Sequence, residues 1–128
     1  MSVELNHTIV HCSDKEVSAG FLAEILGLPT PTAFGPFAVV EVGTGVSLDF
    51  LEGEVHPQHY AFLVGETEFD QIFQRLLERG LPYWADPAQR LAQQVNTNDG
   101  GRGVYWEDPD GHMLEILTVS YGGWPRQR

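Results

Sequence analysis

The chain has a single cysteine, Cys12, among its 128 residues. One thiol cannot form an intrachain disulfide, and it cannot supply a CxxC redox or zinc motif. The neighbouring His11 would point to the opposite face of a strand, so it could not activate the thiol as a nucleophile. We therefore expect Cys12 to be a small side chain in the core.

Long apolar runs and basic residues are also scarce. No stretch approaches the roughly 20 consecutive apolar residues that a membrane helix requires, and residues 1–7 lack the basic and apolar regions of a signal peptide. Seven basic residues stand against 18 acidic ones, and the formal net charge is −11. This balance repels the phosphates of nucleic acids. The sequence thus predicts a cytoplasmic protein that binds neither membranes nor nucleic acid.

The first half of the chain reads as a strand, a helix and further strands. A strand is predicted over 5–12, and the helix that follows has Asp14 as its N-cap and Gly27 at its end. Extended segments are predicted at 37–42 and 46–52, with a glycine-rich turn between them.

The second half repeats this order. A strand is predicted at 59–64, and the next helix has Thr67 as its candidate N-cap and ends at Gly80. Short strands follow at 81–85, 103–106 and 112–119. The repetition indicates an internal duplication. We therefore predict an α+β fold in which one domain, residues 1–128, contains two βαβββ modules at about 4–54 and 57–119.

Three polar residues occupy matching places on three of these predicted strands: His7, His59 and Glu115. Strand side chains alternate between two faces, so each of the three lies opposite the apolar residues that suit packing beneath a helix. If helices cover one side of the sheet, the three face the other side, where a concave sheet would form a cup. Burying such groups without a partner is costly. Two imidazoles and a carboxylate there would hold a divalent metal with open coordination positions.

Two further residues are candidates for catalysis. Asp49 would face the same cup, as a fourth ligand or as a general base beside the metal. A half-exposed position near the end of its strand is an equally good interpretation. Tyr105 lies just before the turn at Asp108–Gly111. An aromatic residue that lines a cup and one that packs under a helix look alike in a sequence, so both roles stay open for Tyr105.

These features resemble the vicinal oxygen chelate superfamily, which includes glyoxalase I, bleomycin resistance proteins, fosfomycin-modifying thiol transferases and extradiol dioxygenases. The resemblance covers about residues 5–119. It rests on the segments 5–7 (LNH), 21–28 (FLAEILGL) and 105–115 (YWEDPDGHMLE). It implies a glyoxalase-like fold, in which two βαβββ modules form a cupped mixed sheet with the helices on the outer face.

The resemblance also implies a site. The superfamily's metal triad maps onto His7, His59 and Glu115, which would hold one divalent ion, either Zn, Ni, Mn, Co or Fe. In many small members the first module of one chain meets the second module of another. A homodimer with two shared sites is therefore implied, each with His7 from one subunit and the other two ligands from its partner. Asp49 falls where glyoxalase I enzymes place a fourth, acidic ligand, but it is shorter than the usual glutamate.

Within the superfamily, residues 58–62 and 105–112 look most like the thiol transferases that modify fosfomycin. Two departures matter. Ile9 occupies the place of a hydroxyl residue that touches substrate, and 96–102 (NTNDGGR) replaces a basic, serine-bearing loop that binds potassium and phosphonate. The acidic Asp99 in that segment disfavours a phosphonate, so fosfomycin resistance is not predicted.

Three classes of function remain open. The leading prediction is a metal-dependent enzyme whose cation acts as a Lewis acid on a small oxygen-chelating substrate, in isomerase, lyase or thiol-transfer chemistry. An extradiol-type ring-cleaving dioxygenase would use the same ligands, but such enzymes usually have longer chains. A non-catalytic protein that sequesters a drug or another ligand is the third class, and its members generally lack the triad.

Two features are assigned less specific roles. The polar stretch 86–102 is too long for an ordinary hairpin connection, and the sequence favours neither a functional lid nor a mobile loop. His11, His56 and His112 are predicted to be hydrogen-bonded core or surface residues rather than metal ligands, with His112 in a turn.

Overall fold

A computed structural model of the chain describes residues 2–43 and 45–122. The strands are β1 (His7–Cys12), β2 (Thr32–Phe34), β3 (Phe37–Val42), β4 (Val46–Glu52), β5 (His59–Leu63), β6 (Gly103–Glu107) and β7 (Met113–Leu117). The helices are α1 (Lys15–Leu26), between β1 and β2, and α2 (Glu66–Glu78), between β5 and β6, with a single 3-10 turn at Asn98–Gly100. The predicted α+β class is confirmed. Among the described residues, no helix has the length and apolar character needed to cross a bilayer.

The described residues form two compact units. The first runs to Gln58 and includes Glu107–His112, and the second comprises His59–Trp106 and the residues from Met113 onward. The first unit has a four-stranded sheet in the order β1-β4-β3-β2, in which β1 is parallel to β4 and the other pairs are antiparallel. The second has a three-stranded sheet in the order β5-β7-β6, in which β5 is parallel to β7. In each unit, the first strand therefore pairs in parallel with the last.

Helix α1 begins and ends as the sequence predicts. The Asp14 carboxylate accepts hydrogen bonds from the backbone N–H groups of Glu16 and Val17, which have no partner inside the helix. Gly27 ends the helix at φ 72°, a left-handed conformation that a residue without a Cβ adopts freely. Within helix α1, Val17 is 55% exposed while the polar Ser18 is buried.

The first sheet has one buried and one open face. Helix α1 packs on β3 and β4. Val10 and Cys12 of β1 are buried together with Leu48 and Phe50 of β4, whereas His7, which alternates with them along β1, is exposed. The predicted alternation of β1 and β4 is thus confirmed. It leaves the polar side chains of both strands on the face away from the core.

The second unit departs from the sequence prediction at two points. Helix α2 begins after Gly65 without a side-chain cap, so the prediction that Thr67 caps it is wrong. The strand expected over 81–85 is reduced to bridges that Trp84 makes with Ala92 and Tyr105.

In the first unit, β2 was not predicted, because its three residues are all exposed and give no burial pattern.

Cys12 lies in the core as predicted, with no exposed surface. Burial, with a smaller contribution from Asp110, raises the pKa of the Cys12 thiol from 9.0 to about 11. Between these two pH values the unfolded chain loses the thiol proton while the folded chain keeps it. The thiol's contribution to stability is therefore complete below pH 9 and is lost as the pH rises towards 11.

Replacing Cys12 with alanine should therefore destabilise the protein most below pH 9. We expect a loss of about 1 kcal/mol in the free energy of unfolding at pH 8, and a smaller difference between variant and wild type at pH 11. Denaturant unfolding at both pH values measures the two differences. An equal difference at both would contradict the buried thiol as the titrating group.

Candidate functional site

The centre of the candidate site is a pair of side chains on the two parallel strands of the second unit. His59 begins β5, Glu115 lies in β7, and the His59 Nε2 atom is 3.0 Å from the Glu115 Oε1 atom. The strand register places His59 opposite Met113 and Ala61 opposite Glu115, so the two side chains meet diagonally across the strand pair. The Glu115 side chain is 9% exposed and that of His59 is 48% exposed.

The second ring nitrogen of His59 fixes the orientation of the ring. The Nδ1 atom lies 3.0 Å from the Met113 backbone oxygen, which can only accept, so Nδ1 carries a proton and donates it. In a neutral ring this leaves a lone pair on Nε2, facing the lone pairs of the Glu115 carboxylate. Two acceptors at 3.0 Å attract each other only through a shared cation. Either a proton shared by the two groups or a bound metal ion supplies it, and carbonyl-anchored imidazoles are typical of metal sites.

Tyr105 of β6 completes this cluster. Its ring stacks on that of His59, with centroids 5.9 Å apart, and its hydroxyl hydrogen-bonds to Glu115. Burial, followed by the negative charge of Glu115, raises the pKa of the Tyr105 hydroxyl to about 12. The phenol is therefore protonated at neutral pH, where it donates a hydrogen bond to Glu115 and cannot act as a base. Of the two roles open to Tyr105 in the sequence, the structure places it beside the candidate ligands.

The polar stretch 86–102 is held by hydrogen bonds near its start and near its end. Near its start, the Asp86 carboxylate accepts hydrogen bonds from the backbone N–H groups of Arg90 and Leu91. Near its end, Asn96 and Gly103 exchange two backbone hydrogen bonds. The approach is so close that a Cβ on Gly103 would lie 2.8 Å from the Asn96 side-chain oxygen. These hydrogen bonds form a closed loop that is held together by contacts between its own residues.

Arg102 joins this loop to helix α2. Its Nη2 atom is 2.8 Å from the Glu66 carboxylate and its Nη1 atom is 2.8 Å from the Asp70 carboxylate. The guanidinium also lies over the Phe69 ring, 4.3 Å from its centroid. No local sequence signal indicates this cluster, because Arg102 is more than 30 positions away from its acidic partners.

A cavity of about 290 Å³ opens over the pair within the second unit. Its lining residues are His59, Asn96, Asn98, Asp99, Arg102, Tyr105, Glu115, Leu117, Val119 and Tyr121. Most of these residues are polar, while Leu117 and Val119 supply an apolar part. Such a mixture is typical of sites for small organic molecules.

The other two candidates, His7 and Asp49, belong to the first unit. They lie beside a separate cavity of about 420 Å³, whose lining also includes Ile9, Phe34 and Phe37. The Ser47 hydroxyl donates a hydrogen bond of 2.8 Å to the Asp49 carboxylate. Within residues 2–43 and 45–122 of one chain, no three His, Cys, Asp or Glu side chains come together to hold a metal. The structure thus joins two of the three predicted ligands, and the role of His7 stays a prediction.

His112 is more deeply placed than a turn residue usually is. It is 1% exposed, its Nδ1 atom accepts a hydrogen bond from the backbone N–H of Gln58, and its Nε2–H donates to the backbone oxygen of His11. Asp108 accepts hydrogen bonds from the backbone of Asp110 and His112, which closes the predicted turn. His112 is therefore a hydrogen-bonded core residue, one of the roles expected for it.

Comparisons with known proteins identify relatives over nearly the whole chain. No family model matches it. The chain is 33% identical to the glutathione transferase FosA of Serratia marcescens, over 94% of this chain and 84% of the relative. It is 29% identical to the metallothiol transferase FosB of Shouchella clausii, over 89% and 79%.

Solved structures include a nearer relative. The oxidase ChaP-H1 is 66% identical to this chain, with a TM-score of 0.92 over 95% of this chain and all of the other. These relatives are named as two transferases and an oxidase, so the chain is related to enzymes. Together with the paired strands and the motifs that carry their ligands, they show that the chain belongs to the vicinal oxygen chelate superfamily.

Proposed function

We propose that this protein is a metal-dependent enzyme that oxidises a small oxygen-bearing organic molecule. The metal would be held by His59 and Glu115 of one subunit and by His7 of a second copy. The observation that carries the proposal is the contact of 3.0 Å between His59 Nε2 and Glu115 Oε1, two acceptor atoms that need a cation between or beside them.

The donor set fits a divalent metal. The carbonyl of Met113 orients His59 so that Nε2 is free to coordinate, and the hydrogen bond from Tyr105 orients Glu115. Two imidazoles and one carboxylate suit Zn, Ni, Mn, Co or Fe. When bound, such a cation supplies Lewis-acid polarisation of substrate oxygens, and a redox-active one also supplies electron transfer.

Substrate binding, exclusion of water and positioning of the ligands would depend on residues of the protein. Leu117 and Val119 would bind the apolar part of a substrate, and the fastened loop 86–102 would limit the entry of water. Tyr105 holds its proton at neutral pH and keeps the Glu115 carboxylate in place. The Asp49 carboxylate accepts a hydrogen bond from the Ser47 hydroxyl. We propose that Asp49 acts as a base or as an additional ligand on the face of the sheet that carries His7.

The proposal requires a homodimer. His7 is exposed on the open face of its sheet, and one chain does not bring three suitable side chains together among its described residues. Light scattering is expected to give twice the chain mass of 14.2 kDa. A protein that stays at 14.2 kDa at working concentration would contradict the shared site.

The Tyr105 hydroxyl offers a test of how Glu115 is oriented. Tyr105→Phe keeps the ring stacked on His59 but removes the hydrogen bond to Glu115. Losses of such supporting bonds typically weaken metal affinity about 10- to 100-fold. Competition with a chelator measures the change. Tyr83→Phe is the matched control, since Tyr83 packs edge-on against Phe73 away from the pair, and equal affinities in both variants would refute the role of Tyr105.

Oxidation is proposed over thiol transfer because the relative called an oxidase is 66% identical, against 33% for FosA. Thiol transfer is the second candidate, favoured by the two named transferases. The protein loaded with Fe²⁺ or Mn²⁺ can be offered catechols, thiol adducts of methylglyoxal, and epoxides with a thiol. Oxygen uptake with a dihydroxyaromatic compound is expected. Thiol consumption with an epoxide, without oxygen uptake, would instead support the transferase.

A further inference from the structure

One buried imidazole connects the three strands that carry the candidate ligands. His112 is 1% exposed and directly precedes β7, the strand of Glu115. Its Nε2–H donates a hydrogen bond of 2.8 Å to the backbone oxygen of His11 in β1. Its Nδ1 atom accepts one of 2.9 Å from the backbone N–H of Gln58, the residue just before β5. The strands β1, β5 and β7 are therefore linked through a single ring.

The turn that presents His112 has a second attachment to the end of β1. The turn is closed by the Asp108 carboxylate, which accepts hydrogen bonds from the backbone N–H groups of Asp110 and His112. The Asp110 carboxylate accepts hydrogen bonds from the hydroxyl groups of Ser13, which directly follows β1, and of Ser18, which is buried in helix α1. The position of this turn is thus tied to that of β1 at two places.

In the proposed homodimer, these hydrogen bonds would link the two metal sites. Each chain would give His7 to one site and His59 with Glu115 to the other. His7 is exposed and begins β1, an edge strand of its sheet, so it has conformational freedom to lose on binding. When one site is filled, His59 and Glu115 of one chain are held in place, and His112 restrains β1 of that chain. The residues of the second site then have less freedom to lose.

We infer that His112 is a positioning residue that couples the two metal sites of the dimer, so that filling one site favours filling the other. This inference rests on the proposed function, because it requires metal sites that are shared between two chains. A purely structural role of His112 would change the stability of the protein or the affinity of both sites alike. It would not change how metal ions are distributed among the dimers.

The distribution of metal among dimers measures this coupling without any need for turnover. Metal-free protein is titrated with Zn²⁺ to half saturation, and native mass spectrometry counts the dimers that hold no ion, one ion and two ions. Positive coupling depletes the dimers that hold one ion. We expect the second ion to bind about five- to tenfold more tightly than two independent, identical sites would allow.

Two substitutions separate the two hydrogen bonds of His112. The side chain of His112→Asn has a polar atom near the place of Nδ1, so it can keep the bond from Gln58 but cannot reach His11. That of His112→Gln extends to the place of Nε2, so it can keep the bond to His11. Both variants should lower the free energy of unfolding. We expect His112→Asn to lose most of the coupling and His112→Gln to keep most of it.

The matched control is His56→Asn, because the His56 side chain is 76% exposed. It should leave the distribution unchanged. If His112→Asn does not fold, the double variant Ser13→Ala, Ser18→Ala removes the second attachment and should also weaken the coupling. Independent filling of the wild-type sites, or a coupling that survives in these variants, would overturn the role of His112. A wild-type protein that binds no Zn²⁺ or stays monomeric would instead refute the proposed function.

Discussion

Replacing either His59 or Glu115 with alanine is expected to reduce bound metal from one ion per site to essentially none. In the proposed site each would supply one of three ligands, and the two atoms that would contact the ion are already 3.0 Å apart. A site with two protein ligands left would exchange its metal during purification. Elemental analysis of the purified variants measures the loss, and undiminished metal in both would refute the assignment.

The fold of these variants needs a separate check. His59→Ala removes one partner of the Glu115 carboxylate, which is 9% exposed, and a buried carboxylate that loses a partner destabilises the fold. Glu115→Gln and His59→Gln keep hydrogen-bonding groups in place and serve as second variants. The control is His56→Ala, because the His56 side chain is 76% exposed and its Nε2 atom lies 3.6 Å from the Glu54 carboxylate. It should keep full metal content.

Local sequence signals predicted most of the elements. Strict alternation and good caps identified β1, β3, β4 and α1, and the strands β3 and β4 have the predicted bounds. Thr67 failed as a cap because a threonine near a helix start is only one of several residues that can precede it, and Gly65 takes that place. The strand β2 is short and exposed, so it depends on pairing with β3 and leaves no pattern.

Alternation predicted that His59 and Glu115 face away from the apolar residues of their strands. Because β5 and β7 pair in parallel within the second unit, the two polar side chains meet on one face. Tyr105 was more ambiguous, since alternation on β6 does not say which face is covered. Its stacking on His59 depends on the tertiary arrangement of the sheet.

The loop 86–102 was beyond prediction for a physical reason. It contains three residues other than glycine with positive φ, Gln89, Gln93 and Asp99. Rules of turn chemistry place glycine, asparagine or aspartate at such positions, so Gln89 and Gln93 gave no signal for the turns that form here. The Arg102 cluster also joins residues far apart in the chain. Both features arise from long-range contacts, and they shape the cavity that we propose binds substrate.

The shared site leads to a second prediction with a large expected effect on metal content. His7→Ala chains and Glu115→Ala chains should each form homodimers without bound metal, because every site in them lacks one ligand. In a mixed dimer, one site lacks both His7 and Glu115, because each of its two chains contributes its substituted residue. The other site takes His7 from the Glu115→Ala chain, and it takes His59 and Glu115 from the His7→Ala chain. That second site is intact. A mixed dimer should therefore bind metal although neither parent does.

The metal content of this mixed dimer is the most direct test of a metal site shared between two subunits. Two different affinity tags, one on each variant chain, allow the mixed dimer to be purified from co-expressed subunits. We expect one metal ion per mixed dimer and essentially none in either parental homodimer. Mixed dimers without metal would contradict the account, because a site built within a single chain would be damaged in both subunits.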